Sequence, residues 1–175
     1  QAIRDTFKAI IDHAGAVKAD CLFISGDLFH RQPLMRDIKE VNYLFSTIPH
    51  VRVVMIAGNH DKIRENSSIL SFSWSPNVTF LADPVLSSVY FDDINTEVYG
   101  FSYHTTEIRE PLLEDIQVPL NNRIQILLAH GGDPAHVPMN FNTLSLSPFS
   151  YIALGHIHKA QVIAEDKMAY CGSPE

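Results

Sequence analysis

The sequence predicts an α/β fold: a two-sheet β-sandwich flanked by helices, incomplete at both termini. Three observations lead there. Short apolar runs without polar alternation, the pattern of strands buried on both faces, stop abruptly at glycine. Amphipathic helical stretches precede and separate the first two of these runs. From Asn77 onward, strand-like runs follow one another quickly, divided by Asp, Asn, Pro and Gly turns.

The elements can be read in order. Ile3, Phe7, Ile10, Ile11 and Ala14 share one helical face, and the helix runs to about Ala16. DCLFIS (20–25) is a short buried strand, followed by the polar loop GDLFHRQP. A second helix spans roughly Leu34 to Thr47, with Ile38, Val41, Leu44 and Phe45 on one side. RVVMIA (52–57) is again an apolar strand ending at a glycine loop, GNHDK. This helix–strand–helix–strand order implies parallel strands with loops at their carboxyl ends. The second half reads as mainly β: VTFL, VLSSVYF, TEVYGFS and IQILLAH, then a proline-rich excursion (DPAHVPMNFNTLSLSP), then YIALG, AQVIAE and MAYCGS. There is no internal repeat or low-complexity linker, so residues 1–175 form a single domain.

Composition limits the function. The 175 residues can bury one real core, and 46% hydrophobic with 19% charged residues is ordinary for a folded soluble chain. No apolar run approaches a membrane span, and there is no signal-peptide pattern. Cys21 and Cys171 sit in apolar, strand-like surroundings, which predicts two buried thiols in a reducing compartment and hence a cytoplasmic location. The net charge of −7, with no Lys/Arg stripe, is not that of a free-standing nucleic-acid module. Polyanion chemistry then requires positive charge from bound metal, another subunit or further sequence. Gln1 is not an initiator residue, the helical pattern is under way from the first turn, and CGSPE closes no element. The expectation is a fragment of a longer protein.

Four apolar strands end in polar clusters: FISGDLFH (23–30), VMIAGNHD (54–61), ILLAHGG (126–132) and ALGHIH (153–158). Ligands of α/β folds lie beyond the carboxyl ends of strands. These four ends therefore gather Asp27, His30, Asn59, His60, Asp61, His130, His156 and His158. In extended chain, residues two apart face the same side, so His156 and His158 can address one spot. Carboxylate, amide oxygen and imidazole without thiolate suit Mn²⁺, Fe²⁺, Zn²⁺ or Mg²⁺. One carboxylate among several histidines suggests a bridge between two ions, the arrangement that supports in-line phosphoryl displacement. The sequence has no Walker loop, H-E-x-x-H or G-x-S-x-G. His13 and His50 read as surface residues, His104 as structural, and His136 as a lesser candidate for reaching substrate.

GDLFH, GNHD, AHG and GHIH, in this order, resemble the motifs of the calcineurin-like metallophosphoesterases. GDLFH and the terminal GSPE resemble the branch of SbcD-type DNA double-strand-break repair nucleases. The phosphatase branch continues its second motif as GDxxDRG, from which Phe29-His30-Arg31-Gln32 departs. The resemblance implies two divalent metal ions, foremost Mn²⁺. Asp27 would bridge them, Asn59, His130 and His156 would complete one, and His158 would join the other. His60 would contact the scissile phosphate, Asp61 would orient its ring, and His30 would help to place the phosphodiester. The family's first motif, DxH, would precede the opening helix and falls outside this chain. The expected activity is hydrolysis of DNA phosphodiester bonds, as exonuclease or endonuclease. Expected partners are DNA and an SMC-like ABC ATPase subunit, with a homodimer left open and no membrane. Two rivals remain: a small-molecule or nucleotide phosphodiesterase or phosphatase, and a metal-poor scaffold that retains only the fold.

Overall fold

A computed structural model describes residues 2–174. The first helix, α1, is Ala2–Ala16, and β1 is Cys21–Ser25. After the loop come α2, Met35–Ser46, and β2, Arg52–Ile56. A single helical turn, α3 (Ser68–Ser71), precedes β3 (Val78–Phe80). The remaining strands are β4 (Ser87–Phe91), β5 (Thr96–Gly100), β6 (Ile124–His130), β7 (Tyr151–Gly155), β8 (Gln161–Ala164) and β9 (Met168–Tyr170), with the short helix α4 (Phe141–Ser145) between β6 and β7.

Two sheets result. The first is parallel, in the order β1-β2-β3, with Phe23 opposite Val54 and Val54 opposite Thr79. The second, ordered β4-β5-β6-β7-β9-β8, is parallel from β5 through β9 and antiparallel at both edges. VTF, read with the second-half strands, thus belongs to the first sheet. Two short helices and the 3-10 turn Asp92–Ile94 were not legible in the sequence pattern. At four or five residues, α3 and α4 are too short to show a helical period.

The sheets face each other through Val54, Ile56, Leu81, Val98 and Leu128, with Phe23, Ile126 and Ala153 beside them. On the outer face of the first sheet, α1 and α2 cover Val53 and Met55 with Ile11, Ala14 and Phe45. Phe7 meets Phe45 edge to face at 6.0 Å, and Arg4 of α1 pairs with Glu40 of α2 at 3.1 Å. Asp37 accepts the Leu34 amide at 3.2 Å, placing a carboxylate where the first turn of α2 leaves amides unpaired. The outer face of the second sheet packs Tyr99, Leu127, Ile152 and Met168 against Leu144, Phe149 and the long loops. Among the described residues no helix is long and apolar enough to cross a membrane. Cys21 is half-buried, whereas Cys171, expected inside, is exposed because β9 ends one residue before it.

Candidate metal centre

The register sets the geometry. Ser25 pairs with Ile56 at the carboxyl ends of β1 and β2 in the first sheet, and His130 pairs with Gly155 in the second. The two sheets meet at this edge, where His130 Nδ1 bonds the Ser25 carbonyl at 2.8 Å. All four strand ends therefore open onto one place, as the pattern of apolar runs implied.

His130 lies at its centre and is 1% exposed. Its Nδ1–H donates to Ser25 O, which turns Nε2 toward Asn59 Oδ1 at 3.0 Å and Asp27 Oδ2 at 3.3 Å. A ring lone pair and two oxygens converging on one point require positive charge among them, a proton or a metal ion. Ligand atoms of Asp27, His130 and His156 all lie within 4.8 Å of one another. Two imidazoles, a carboxylate and an amide oxygen form a set that divalent Mn, Fe, Zn or Mg accepts. The residues present fit such an ion.

Asp27 takes a left-handed backbone, φ 52°, after Gly26 at φ 86°. Its Oδ1 accepts the His60 amide at 2.9 Å. Burial raises its pKa, but the hydrogen bond and charge of His130 outweigh this, so the carboxylate lies below its ordinary range. Gly58 is required here, because a Cβ would collide with Asp27 Oδ1 and its own backbone amide.

Asp61 is fully buried and accepts three backbone amides: Gly58 at 2.7 Å, Phe29 at 3.1 Å and Asp27 at 3.2 Å. It ties the GDLFH loop to the GNHD loop. This replaces the expected contact with the ring of His60, whose Nδ1 instead meets His30 O at 3.1 Å. Burial and the neighbouring Asp27 charge raise the Asp61 pKa to about 6, against the backbone donors that favour its anion. His30 and His60 stack at 4.9 Å, both exposed at the mouth of the site.

His156 is half-buried with φ 95°, a conformation rare outside glycine. Its Nε2 meets Asp133 Oδ2 at 2.6 Å. Burial lowers the His156 pKa and Asp133 only partly restores it. Burial also opposes the Asp133 charge. Hydrogen bonds from His156, the Ala135 amide and His136 overcome that and hold the carboxylate well below its usual range. The pair is therefore a neutral imidazole donating to an anion.

Asp133 was not singled out by the sequence reading. Asp133, His136 and His156 form a second convergent group adjoining the first. The one available signal was the D-x-x-H spacing directly after the AHGG strand end. His158 is exposed and, among the described residues, belongs to neither group. His13 and His50 are exposed as expected. His104 bonds Ala82 O at 2.7 Å, a structural contact.

A family model for calcineurin-like phosphoesterases matches residues 1–160, and the chain belongs to that family. Among curated proteins, it is 29% identical over 189 residues to the DNA double-strand break repair protein Mre11 of Methanocaldococcus jannaschii, covering 99% of this chain and 50% of that protein. It is 27% identical to the uncharacterized metallophosphoesterase YhaO of Bacillus subtilis, covering 91% of this chain and 42% of the relative. The Mre11 of Sulfurisphaera tokodaii is 27% identical, covering all of this chain and 48% of the relative. The chain thus spans about half the length of the curated relatives it matches.

Proposed function

We propose that this chain is the catalytic domain of a metal-dependent phosphodiesterase acting on DNA, of the double-strand-break repair type. The observation that carries the reading is the convergence of Asp27, Asn59 and His130 on one point that a divalent cation would satisfy. Relatives named as DNA double-strand break repair proteins support DNA as the substrate.

In this reading Asp27, Asn59, His130 and His156 hold one ion, and Asp27 with His158 contributes to a second, Mn²⁺ being the first choice. Bound divalent ions supply an activated water and neutralise charge on the phosphodiester. The chain's own part is then specific. With Nδ1–H donating to His30 O, a doubly protonated His60 ring presents its Nε2–H to a phosphate oxygen or gives that proton to the departing oxygen. Asp61 orders the two loops carrying Asp27, Asn59 and His60, and the stacked His30 fixes the other face of the His60 ring. The SMC-like ATPase subunit is the protein partner by resemblance.

A second reading, a phosphodiesterase for nucleotides or other small esters, is favoured by the net charge of −7. The test is turnover of duplex DNA against a cyclic nucleotide by the full-length protein with Mn²⁺. DNA cleavage abolished by Asp27→Asn supports the proposal. Binding of metal without cleavage of any phosphodiester overturns it, and hydrolysis of the cyclic nucleotide alone selects the second reading.

A further inference from the structure

We propose that Asp133 is a positioning residue of the metal centre: its carboxylate fixes the orientation and tautomer of His156, so that Nδ1 is presented to the cation. The inference rests on the reading of His156 as a ligand and adds the residue that makes it one.

The carboxylate is itself immobilised. Oδ1 accepts the Ala135 amide at 2.8 Å and the His136 amide at 3.1 Å, and the His136 ring nitrogen lies 3.0 Å from both oxygens. Oδ2 is left to His156 at 2.6 Å, the short distance of a charge-assisted bond. The loop carrying Asp133 is pinned as well. Gly132 N donates to His136 O at 2.7 Å, Val137 N to Ile108 O at 2.7 Å, and Tyr170 OH to Gly131 O at 2.7 Å. The His136 ring packs on His156 with centroids 4.4 Å apart. His156 therefore approaches the site with one nitrogen already engaged.

The logic repeats that of His130, whose Nδ1 bond to Ser25 O commits Nε2 to the centre. Each imidazole has an oxygen on one ring nitrogen, an arrangement that fixes the tautomer and raises the basicity of the other nitrogen. The φ of 95° at His156 is strained for a non-glycine residue, and the Asp133 bond anchors its side chain there. Asp133 is a poor ligand by contrast. Its oxygens already take four N–H donors, and a cation would have to displace His156.

The test uses Asp133→Ser and Asp133→Ala beside Asp133→Asn. Serine can still accept the Ala135 amide and keep the turn, but is too short for His156. Asparagine keeps the Ala135 and His136 amides on its oxygen and turns its NH₂ to His156, so Nε2 becomes an acceptor and the ring proton moves to Nδ1. Ring ¹⁵N spectra of the metal-free protein should show His156 protonated at Nε2 in wild type and at Nδ1 in Asp133→Asn. In the serine and alanine variants that signature should be lost. Calorimetric titration with Mn²⁺ should show about 10–100-fold weaker binding for all three variants, with unchanged stoichiometry. Unchanged ring spectra and affinity in the serine variant overturn the proposal. So does loss of one Mn²⁺ equivalent in the serine variant, which would make Asp133 itself a ligand. His156→Ala with wild-type Mn²⁺ affinity overturns the metal-centre reading and this proposal with it. A lost tautomer signature in wild type overturns this proposal alone.

Discussion

Replacing Asp61 by alanine removes the acceptor of three amides at once, and the structure sets the size of the effect. The Gly58 amide is buried and the Asp27 and Phe29 residues are half-buried, so none regains full hydration. An unsatisfied buried donor costs about 1–3 kcal/mol. With partial rehydration of the two half-buried donors, Asp61→Ala should lose about 3–5 kcal/mol, a large share of a typical domain's stability. Asp61→Asn separates the contributions. Its Oδ1 can keep the Gly58 and Asp27 bonds, while its NH₂ opposes the Phe29 N–H, at a cost of about 1–3 kcal/mol. Urea unfolding followed by far-UV circular dichroism at pH 7.5, above the Asp61 pKa of about 6, measures both. Mn²⁺ affinity should fall alongside, because the loops bearing Asp27 and Asn59 lose their common anchor. Asp61→Ala within about 1 kcal/mol of wild type, or an asparagine variant as unstable as alanine, refutes the argument.

Other expectations follow from the same structure. Gly58→Ala drives a Cβ into Asp27, so it should weaken Mn²⁺ binding and lower the melting temperature, while Gly15→Ala, in α1, should leave Mn²⁺ affinity unchanged. Phe45→Ala opens a cavity under α1 and α2 and should cost about 3–5 kcal/mol in urea unfolding, with the metal site intact once folded. Glu97 gives a pH signature. Burial raises its pKa, but hydrogen bonds from Arg123 and Ser88 outweigh this and lower it overall. A lowered folded-state pKa means stability present above the unfolded value of about 4.5 and lost as pH falls below it. Glu97→Gln should flatten the acid limb of the stability profile, and an unchanged limb argues against the pair. Chelation with EDTA should lower the melting temperature of wild type but not of a His130→Ala/Asp27→Ala double variant, because only a bound ion stabilises by linkage.

The two halves of the fold differed in legibility. The strands at 21–25, 52–56, 124–130 and 151–155 are apolar on both faces, so their hydrophobic runs mark them and their glycines mark where they stop. Since parallel strands carry their loops at carboxyl ends, the same local pattern also announced the gathering of Asp27, Asn59, His130 and His156. The three-residue strand at 78–80 joined the first sheet instead of the later β series, because pairing partners are chosen by long-range burial and not by local composition. Cys171 ended outside for a similar reason: one residue beyond a strand end, sequence texture carries no burial information.

By itself, then, the sequence determined which segments are buried strands, where each ends, and which side chains stand at those ends. These properties are local, set by side-chain hydrophobicity and the conformational range of glycine. Only the tertiary structure decided what each side chain does there. Asp61 serves backbone amides instead of the His60 ring, and Asp133 reaches His156 across 23 positions of chain. Hydrogen-bond partners depend on distances of a few tenths of an ångström between segments remote in sequence. Such distances exist only after the two sheets have packed.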